Sequence, residues 1–330
     1  MSQQPFRRNY VQHALAVASW LRTNRASGSI DAATYRLDIT HNSRTASFLP
    51  QFMTGNGDTA KYVPQLQPEV NAFVSWLPRA AVGWPAAQGK IAFKAFAKQM
   101  GLKTPAWTHD LAQVKGAFII KHNISSFGKG LRGPFFAGPP PADRPTVTLE
   151  PGAYAEQLVV GTLMKTWYWN GQVAVVEQVP MPRLCGDGRS TLQELLVLRL
   201  GAEGVWTEVH TGMVALWGLT PDFVPPEGKE VVVDYRYMSD LNPAINADWN
   251  IADRIRGTPL EAQLAQAGQA MNQVVGPEIG QAYAITIDAV LDATGRVQFL
   301  EANCNPLLHP AFYTPMLDAI FNVPETPHLF

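Results

Sequence analysis

Two carboxylates and a carboxamide near the C-terminal end of the chain have the types and spacing to do chemistry. Asp288 closes the apolar run Ile285-Thr286-Ile287, and a turn at Asp292-Ala293-Thr294-Gly295 returns the chain through Phe299-Leu300-Glu301-Ala302-Asn303. If both runs are strands, Glu301 and Asn303 share one face, because side chains alternate along a strand, and Asp288 on the neighbouring strand can converge with them. Three such donors make a hard oxygen set suited to Mg2+, which keeps part of its shell for water and phosphate oxygens. Taken alone, the set is equally compatible with a solvated hairpin, since acidic side chains at strand ends are common.

A second constellation, Lys121-His122-Asn123-Ile124-Ser125-Ser126-Phe127-Gly128-Lys129-Gly130, emerges directly from an apolar stretch beginning at Ala117. Glycines let a loop approach phosphates closely and offer N–H groups to them, while Lys121 and Lys129 add positive charge. The spacing is not that of a P-loop, and a Gly-Lys-Gly segment by itself is weak.

The elements that must position these residues are read from periodicity and punctuation. A helix over Gln88 to Met100 ends at Gly101, with Pro105 beyond it. A strand over Ala117 to Lys121 follows, then another at Pro134-Phe135-Phe136. Ala153 to Pro180 alternates as paired strands about Asn170-Gly171, a two-residue hairpin turn. Ser190 opens a helix with capping-box spacing, either Ser190 with Gln193 or Thr191 with Glu194, and an apolar face of Leu192, Leu195, Leu196 and Leu200. A helix over about 260–275 precedes strands over about 283–291 and 296–302. Near the start, Val11, Leu15, Ala18 and Leu21 have the spacing of a helix over about 9–24 packed on a core through those residues. Arg7-Arg8 ahead of it looks superficially like an export signal, but Gln12 and His13 interrupt the apolar run and Arg22 and Arg25 close it. Beyond that helix, the first 88 residues indicate no particular fold.

Composition narrows the classes. A chain of 330 residues, 46% hydrophobic, can bury two or three packed subdomains without disulfides. A net charge of -1 and the absence of a long basic run argue against nucleic-acid and anionic-membrane partners. No apolar run approaches the roughly 20 residues that span a bilayer. The two cysteines, Cys185 and Cys304, lie far apart, so neither a disulfide framework nor a zinc site is indicated and a reducing compartment fits. Small-molecule substrates are the default expectation.

Across residues 88 to 312 the order of these blocks resembles the ATP-grasp superfamily, and within it carboxylate–amine ligases such as cyanophycin synthetase, glutathione synthetase and D-alanine:D-alanine ligase. Lys90, Gly101, Pro105 and Trp107 look like the helix and turn leading into that fold, whose lysine reaches the ATP phosphates. Lys121 to Gly130 looks like the strand and glycine-rich loop that close over them, which implies phosphate contacts from Lys121, Ser125, Ser126, Phe127, Gly128, Lys129 and Gly130. Ala155 to Gly161 is similar to the hinge that binds adenine through backbone groups, placing Glu156, Gln157, Leu158 and Val159 at the base. Gly186 to Leu195 looks like a lid beside the site. Asp288, Glu301 and Asn303 match the family's magnesium ligands in type and in spacing, 13 and then 2 residues. Arg236, in Val233-Asp234-Tyr235-Arg236, matches the arginine that contacts the transferred phosphate. Leu163 and Met164 depart from the pattern, standing where relatives place an acid for the ribose.

The resemblance implies an α+β ATP-grasp fold in which two α+β subdomains grip ATP. Residues 89–160 would form the small subdomain, 161–330 the C-terminal one with the metal site, and 1–88 an N-terminal domain of uncertain fold and candidate substrate-binding role. It implies ATP with Mg2+, or Mn2+ in its place, as cofactors, a carboxylate activated as an acyl phosphate, and capture by an amine. Lys121 and Arg236 would be the catalytic cations. His309, just past the metal strand, is as readily a packed histidine as a substrate-orienting one, and Trp206, Trp217 and Trp249 are candidates to line an apolar acceptor site. Peptide or protein modification, and nucleotide binding without turnover, are the alternatives. The resemblance also implies a cytoplasmic enzyme and leaves room for a homodimer.

Overall fold

The computed structural model describes residues 4–55, 61–80, 82–125, 130–138, 147–201, 204–242, 249–280 and 282–322. The region for which the sequence indicated little beyond one helix turns out to be a helix on an antiparallel sheet. Helix α1 (Gln4–Thr23) is followed by β1 (Ser27–Ile30), β2 (Leu37–His41), β3 (Arg44–Thr54), β4 (Lys61–Val63) and β5 (Val70–Leu77). The strands are ordered β1-β2-β3-β4, with β5 also paired to β3. The expected helix is present, but the face named for it is wrong: Val11 and Leu15 are 50% and 62% exposed. His13, Val17 and Trp20 are the buried positions, and Tyr10 packs beside them, edge-on to Phe73 and Trp76. An aromatic sheet surface has selected the aromatic stripe of the helix over its aliphatic one, since rings offer more area to bury.

Helix α2 (Lys90–Gln99) ends as expected, with Gly101 at a φ of 70°. A four-stranded sheet follows, formed from β6 (Trp107–Thr108), β7 (Ala117–His122), β8 (Arg132–Phe136) and β9 (Ala153–Gln157) in the order β6-β9-β7-β8. The long hairpin is β10 (Gly161–Trp169) and β11 (Gln172–Pro180), turning at Asn170 and Gly171 with φ of 51° and 75°. Two positive φ values suit the right-handed twist of a two-residue hairpin, and Asn-Gly tolerates them.

A small lobe comes next, with β12 (Arg183–Cys185), α3 (Leu192–Leu200), α4 (Glu208–Ala215) and β13 (Glu230–Val232) around Leu184, Leu192, Leu196, Val214 and Val233. Thr191 and Glu194 form the capping box of α3. Helix α5 (Pro259–Ile279) leads to β14 (Ala284–Asp292) and β15 (Val297–Cys304), which complete a second four-stranded sheet in the order β11-β10-β14-β15. Helix α6 (Tyr313–Phe321) returns to the N-terminal sheet.

The molecule is therefore α+β, built of antiparallel sheets, as the sequence suggested. Two cores fix the large sheet. On one face, Phe93, Phe96 and Ala97 of α2 and Leu264 and Met271 of α5 pack on Met164, Tyr168, Ile285 and Ile287. A second core joins Trp167, Trp169 and Ala284 of this sheet to Phe312, Tyr313 and Met316, and through them to Phe48, Phe73 and Trp76 of the N-terminal sheet. The small sheet has its own core of Phe118, Ile120, Ala153 and Ala155.

Candidate active site

Registry across the large sheet lines up four ionisable side chains. Glu177 of β11 pairs with Lys165 of β10, Lys165 with Asp288 of β14, and Asp288 with Glu301 of β15. Residues opposite one another in antiparallel strands point to the same face, so the row reads acid, base, acid, acid. Two irregularities make it. Between β10 and β11 the register shifts, pairing Trp167 with Val175 but Tyr168 with Val173, so that Ala174 is an extra residue. Between β14 and β15 Asp288 faces Glu301 while Ala289 faces Phe299, leaving Leu300 extra. That bulge returns Phe299 to the core and keeps Glu301 on the open face.

The three expected metal ligands are thus brought together. Asn303 Nδ2 donates to Asp288 Oδ2 at 3.3 Å, and the two carboxylates each hold an ammonium, Lys165 Nζ at 2.8 Å from Asp288 and Lys90 Nζ at 3.0 Å from Glu301. Among the described residues no group of three or more His, Cys, Asp or Glu forms a metal cluster. Two carboxylates and an amide on one face nevertheless fit a hard divalent ion, and the ammonium ions already drawn to them show the local preference for positive charge. Ligation by Asn303 needs its oxygen turned toward the ion, a half-rotation of the amide. Lys165 was not foreseen. Burial would depress its ammonium, but Asp288, with Glu301 and Glu177, raises it above the ordinary lysine range.

Helix α2 supplies the next cation. Asn123 caps its start, the side-chain oxygen accepting from Ile91 N at 2.9 Å and the carbonyl from Lys90 N at 3.1 Å. Lys90 Nζ reaches the carbonyl of Ser125 at 2.8 Å and its hydroxyl at 3.2 Å, as well as Glu301. One turn further on, the fully buried Lys94 meets Glu156 at 2.5 Å, and the other oxygen of that carboxylate meets Lys121 at 2.6 Å. Burial alone would raise the Glu156 carboxyl, but Lys121 and Lys94 together hold it below the usual carboxylate range.

Glu156 was expected to serve adenine through its backbone; its side chain is engaged by two lysines. The N–H groups of Gln157 and Leu158 donate to the carbonyls of Ala106 and Ala117 at 2.8 and 2.9 Å, so neither can donate to a base.

Most of these groups face one cavity of about 790 Å3, between the large and small sheets. Its lining includes Lys90, Lys121, Ser125, Glu156, Gln157, Leu158, Val159, Arg236, Asp288, Glu301 and Asn303, so most of the residues picked from sequence meet in one place. Ser126, Phe127, Gly128 and Lys129 lie outside the described residues. Gly130 does not line the cavity; it has a φ of 68°, and a Cβ there would sit 2.7 Å from the His122 ring. Arg236 is gripped by the buried Asp234 through Nε at 3.0 and 3.1 Å and Nη2 at 2.7 Å, which raises its pKa further. It is both an ion-pair partner and a cavity residue.

The far end of the cavity is closed by Asn9, Gln12 and His13 of α1, Met53, and Lys61 and Tyr62 of β4, opposite Trp167, Tyr237 and His309. The His309 side chain is fully buried, with Nε2 3.4 Å from Glu177, whose other oxygen accepts from the Tyr237 hydroxyl. Burial raises the Glu177 carboxyl. His13 receives no proton readily: burial, then His309, push it down to about 3.

Two groups of candidates lie outside the cavity. Neither Trp206, Trp217 nor Trp249 lines the cavity; Trp217 is 49% exposed and Trp206 packs in the small lobe. The aromatic wall comes from Trp167, which sequence could not single out without the sheet register. Nor does Gly186 to Leu195 reach the cavity. Asp187 there accepts from the backbone of Arg189 and Ser190 and from the Ser190 hydroxyl, making a turn before a helix cap.

No protein-family model matches the sequence, and no curated protein matches it. Solved structures do. A bifunctional glutathione synthetase from Pasteurella multocida is 14% identical, with 94% of this chain and 43% of that one covered and a TM-score of 0.45. An L-amino acid ligase from Bacillus licheniformis is 15% identical over 66% of this chain and 40% of its own, at a TM-score of 0.30. A D-alanine–D-alanine ligase from Bacillus anthracis, complexed with ATP, is 11% identical over 71% and 59%, at 0.29. The chain spans less than half the length of the first two. Likeness at this level carries no weight for function, which rests on the side chains in the cavity.

Proposed function

We propose that the chain is an ATP-grasp ligase that activates a carboxylate as an acyl phosphate and joins it to an amine, with ADP and phosphate as products. The supporting observation is a single cavity lined by Lys90, Lys121 and Arg236 together with the oxygen set of Asp288, Glu301 and Asn303. Phosphoryl transfer asks for positioning and charge stabilisation more than for a protein nucleophile, and this lining offers cations and acids in that arrangement. Mg2+, held by those three residues, would neutralise the terminal phosphates.

Adenine would lie against Gln157, Leu158 and Val159, with the phosphates running toward Lys121 and Lys90. A carboxylate oxygen of the acid attacks the terminal phosphorus, and the bond to ADP breaks. The amine nitrogen then attacks the acyl carbon, loses a proton, and expels phosphate. Arg236, held in place by Asp234, would stabilise the oxyanion between these events. Acid and amine would enter the far end, whose walls are aromatic and neutral apart from Lys61 and Lys165. A supply of ATP and unpaired cysteines suit the cytoplasm.

The test is to supply Mg-ATP with pooled acids and amines and follow nucleotide and phosphate. Phosphate release that needs both an acid and an amine, with ADP as the nucleotide product, supports the reading. AMP and pyrophosphate, or ATP consumption indifferent to both pools, would overturn it.

A further inference from the structure

Among the described residues, one ion-paired group beside the cavity does not balance. Lys90 faces Glu301, Lys165 faces Asp288 and Arg236 faces Asp234, each a base against an acid. Lys121 faces Glu156, but so does Lys94, and with both ammonium groups protonated this trio carries two positive charges to one negative; burial lowers the Lys94 ammonium, and Glu156 opposes that. The side chains of Lys94 and Glu156 are 0% and 1% exposed, while that of Lys121 is 9% exposed and turned to the cavity. Lys94 itself does not line it.

We infer that Lys94 is a positioning residue whose charge, delivered through Glu156, sets the net positive charge that Lys121 presents to the nucleotide phosphates. Without Lys94, Glu156 would fully neutralise Lys121 and tether it away from the phosphates. With Lys94, the carboxylate is shared, one unit of charge remains, and Lys121 sits at a fixed point on the wall. A buried trio of this kind is costly to desolvate and gains little over apolar packing, so stability alone does not account for it. The inference rests on the nucleotide-binding reading above, and the two are tested separately.

The experiment compares binding of ATP and of adenosine, without magnesium, to the wild-type chain and to Lys94→Met, Lys94→Arg and the double variant Lys94→Met with Glu156→Gln, each checked for folding by circular dichroism. ATP binding by the wild type tests the nucleotide reading itself. For Lys94→Met the expected result is ATP binding weaker by about tenfold, the scale of one charge acting across a partly wet site, with adenosine binding unchanged. Lys94→Arg should restore ATP binding. The double variant restores the net charge of the trio by removing one charge of each sign, so it should bind ATP more tightly than Lys94→Met. If Lys94→Met does not fold, the comparison of the double variant with Glu156→Gln carries the test, the latter holding one more positive charge and binding ATP more tightly still. Equal losses for ATP and adenosine, or ATP binding indifferent to the charge count, would overturn the inference.

Discussion

At the scale of single residues, the cavity shows how charge is held in readiness. Arg236 is clamped by a carboxylate with no exposed surface, so its guanidinium has little freedom to lose on meeting a developing oxyanion. Arg236→Ala should lower turnover on the order of a hundredfold and, because it leaves the buried Asp234 without its cation, also lower stability by about 3–5 kcal/mol, so turnover is read under conditions where the variant is folded; unchanged turnover removes Arg236 from the chemistry. His13 offers a different measurement. Its folded pKa, about 3, lies below the ordinary 6.5, so between those values the unfolded chain binds a proton that the folded one refuses. Stability therefore rises with pH across that window and is lost as pH falls below about 6.5. At pH 5 the loss should be about 2 kcal/mol, read as the difference between denaturant unfolding at pH 5 and pH 7, and it should shrink in His13→Asn.

At the scale of elements, what was legible in the sequence was local. Asn170-Gly171, the Thr191 to Glu194 capping box and the Asp292 to Gly295 turn depend on neighbours in the chain, and each stands where it was read. Asp288, Glu301 and Asn303 were legible because a short hairpin brings them together. The extra residues Ala174 and Leu300 were not, because a bulge is decided by which side chains the core demands, and it is a bulge that puts Glu177 opposite Lys165. Lys94 and Glu156 could not be matched for a similar reason: a helix and a strand more than fifty positions apart meet only in the fold. Two substitutions test this level. Thr191→Ala should cost about 1 kcal/mol of stability through loss of the cap, with ATP affinity unaltered, because α3 stands clear of the cavity. Gly268→Ala would put a methyl 2.2 Å from the Gly171 carbonyl and 2.6 Å from the Tyr168 ring. That overpacking should cost about 1–3 kcal/mol, measured by urea unfolding, since neither backbone nor ring has room to yield.

At the scale of the whole molecule, the N-terminal sheet is inseparable from the rest. Tyr313 of α6 accepts from the Trp76 backbone at 3.0 Å and shares a hydrogen bond of 2.8 Å with His13, and Trp20 donates to Asp318 at 2.7 Å. Deleting residues 1–80 strips the aromatic side from a core built around Trp167, Trp169 and Phe312. The remainder should be insoluble or lack a cooperative unfolding transition, as seen by calorimetry; a soluble fragment with a sharp transition would contradict the shared core. Sequence could not reveal this union, because α1 buries the stripe through His13, Val17 and Trp20 instead of the aliphatic one that its periodicity advertised.

The Lys94–Glu156 pair has an architectural consequence as well. Lys94 stands on α2, whose apolar side packs on the large sheet, and Glu156 on β9 of the small sheet, so this one buried contact fastens together the two walls between which the cavity lies.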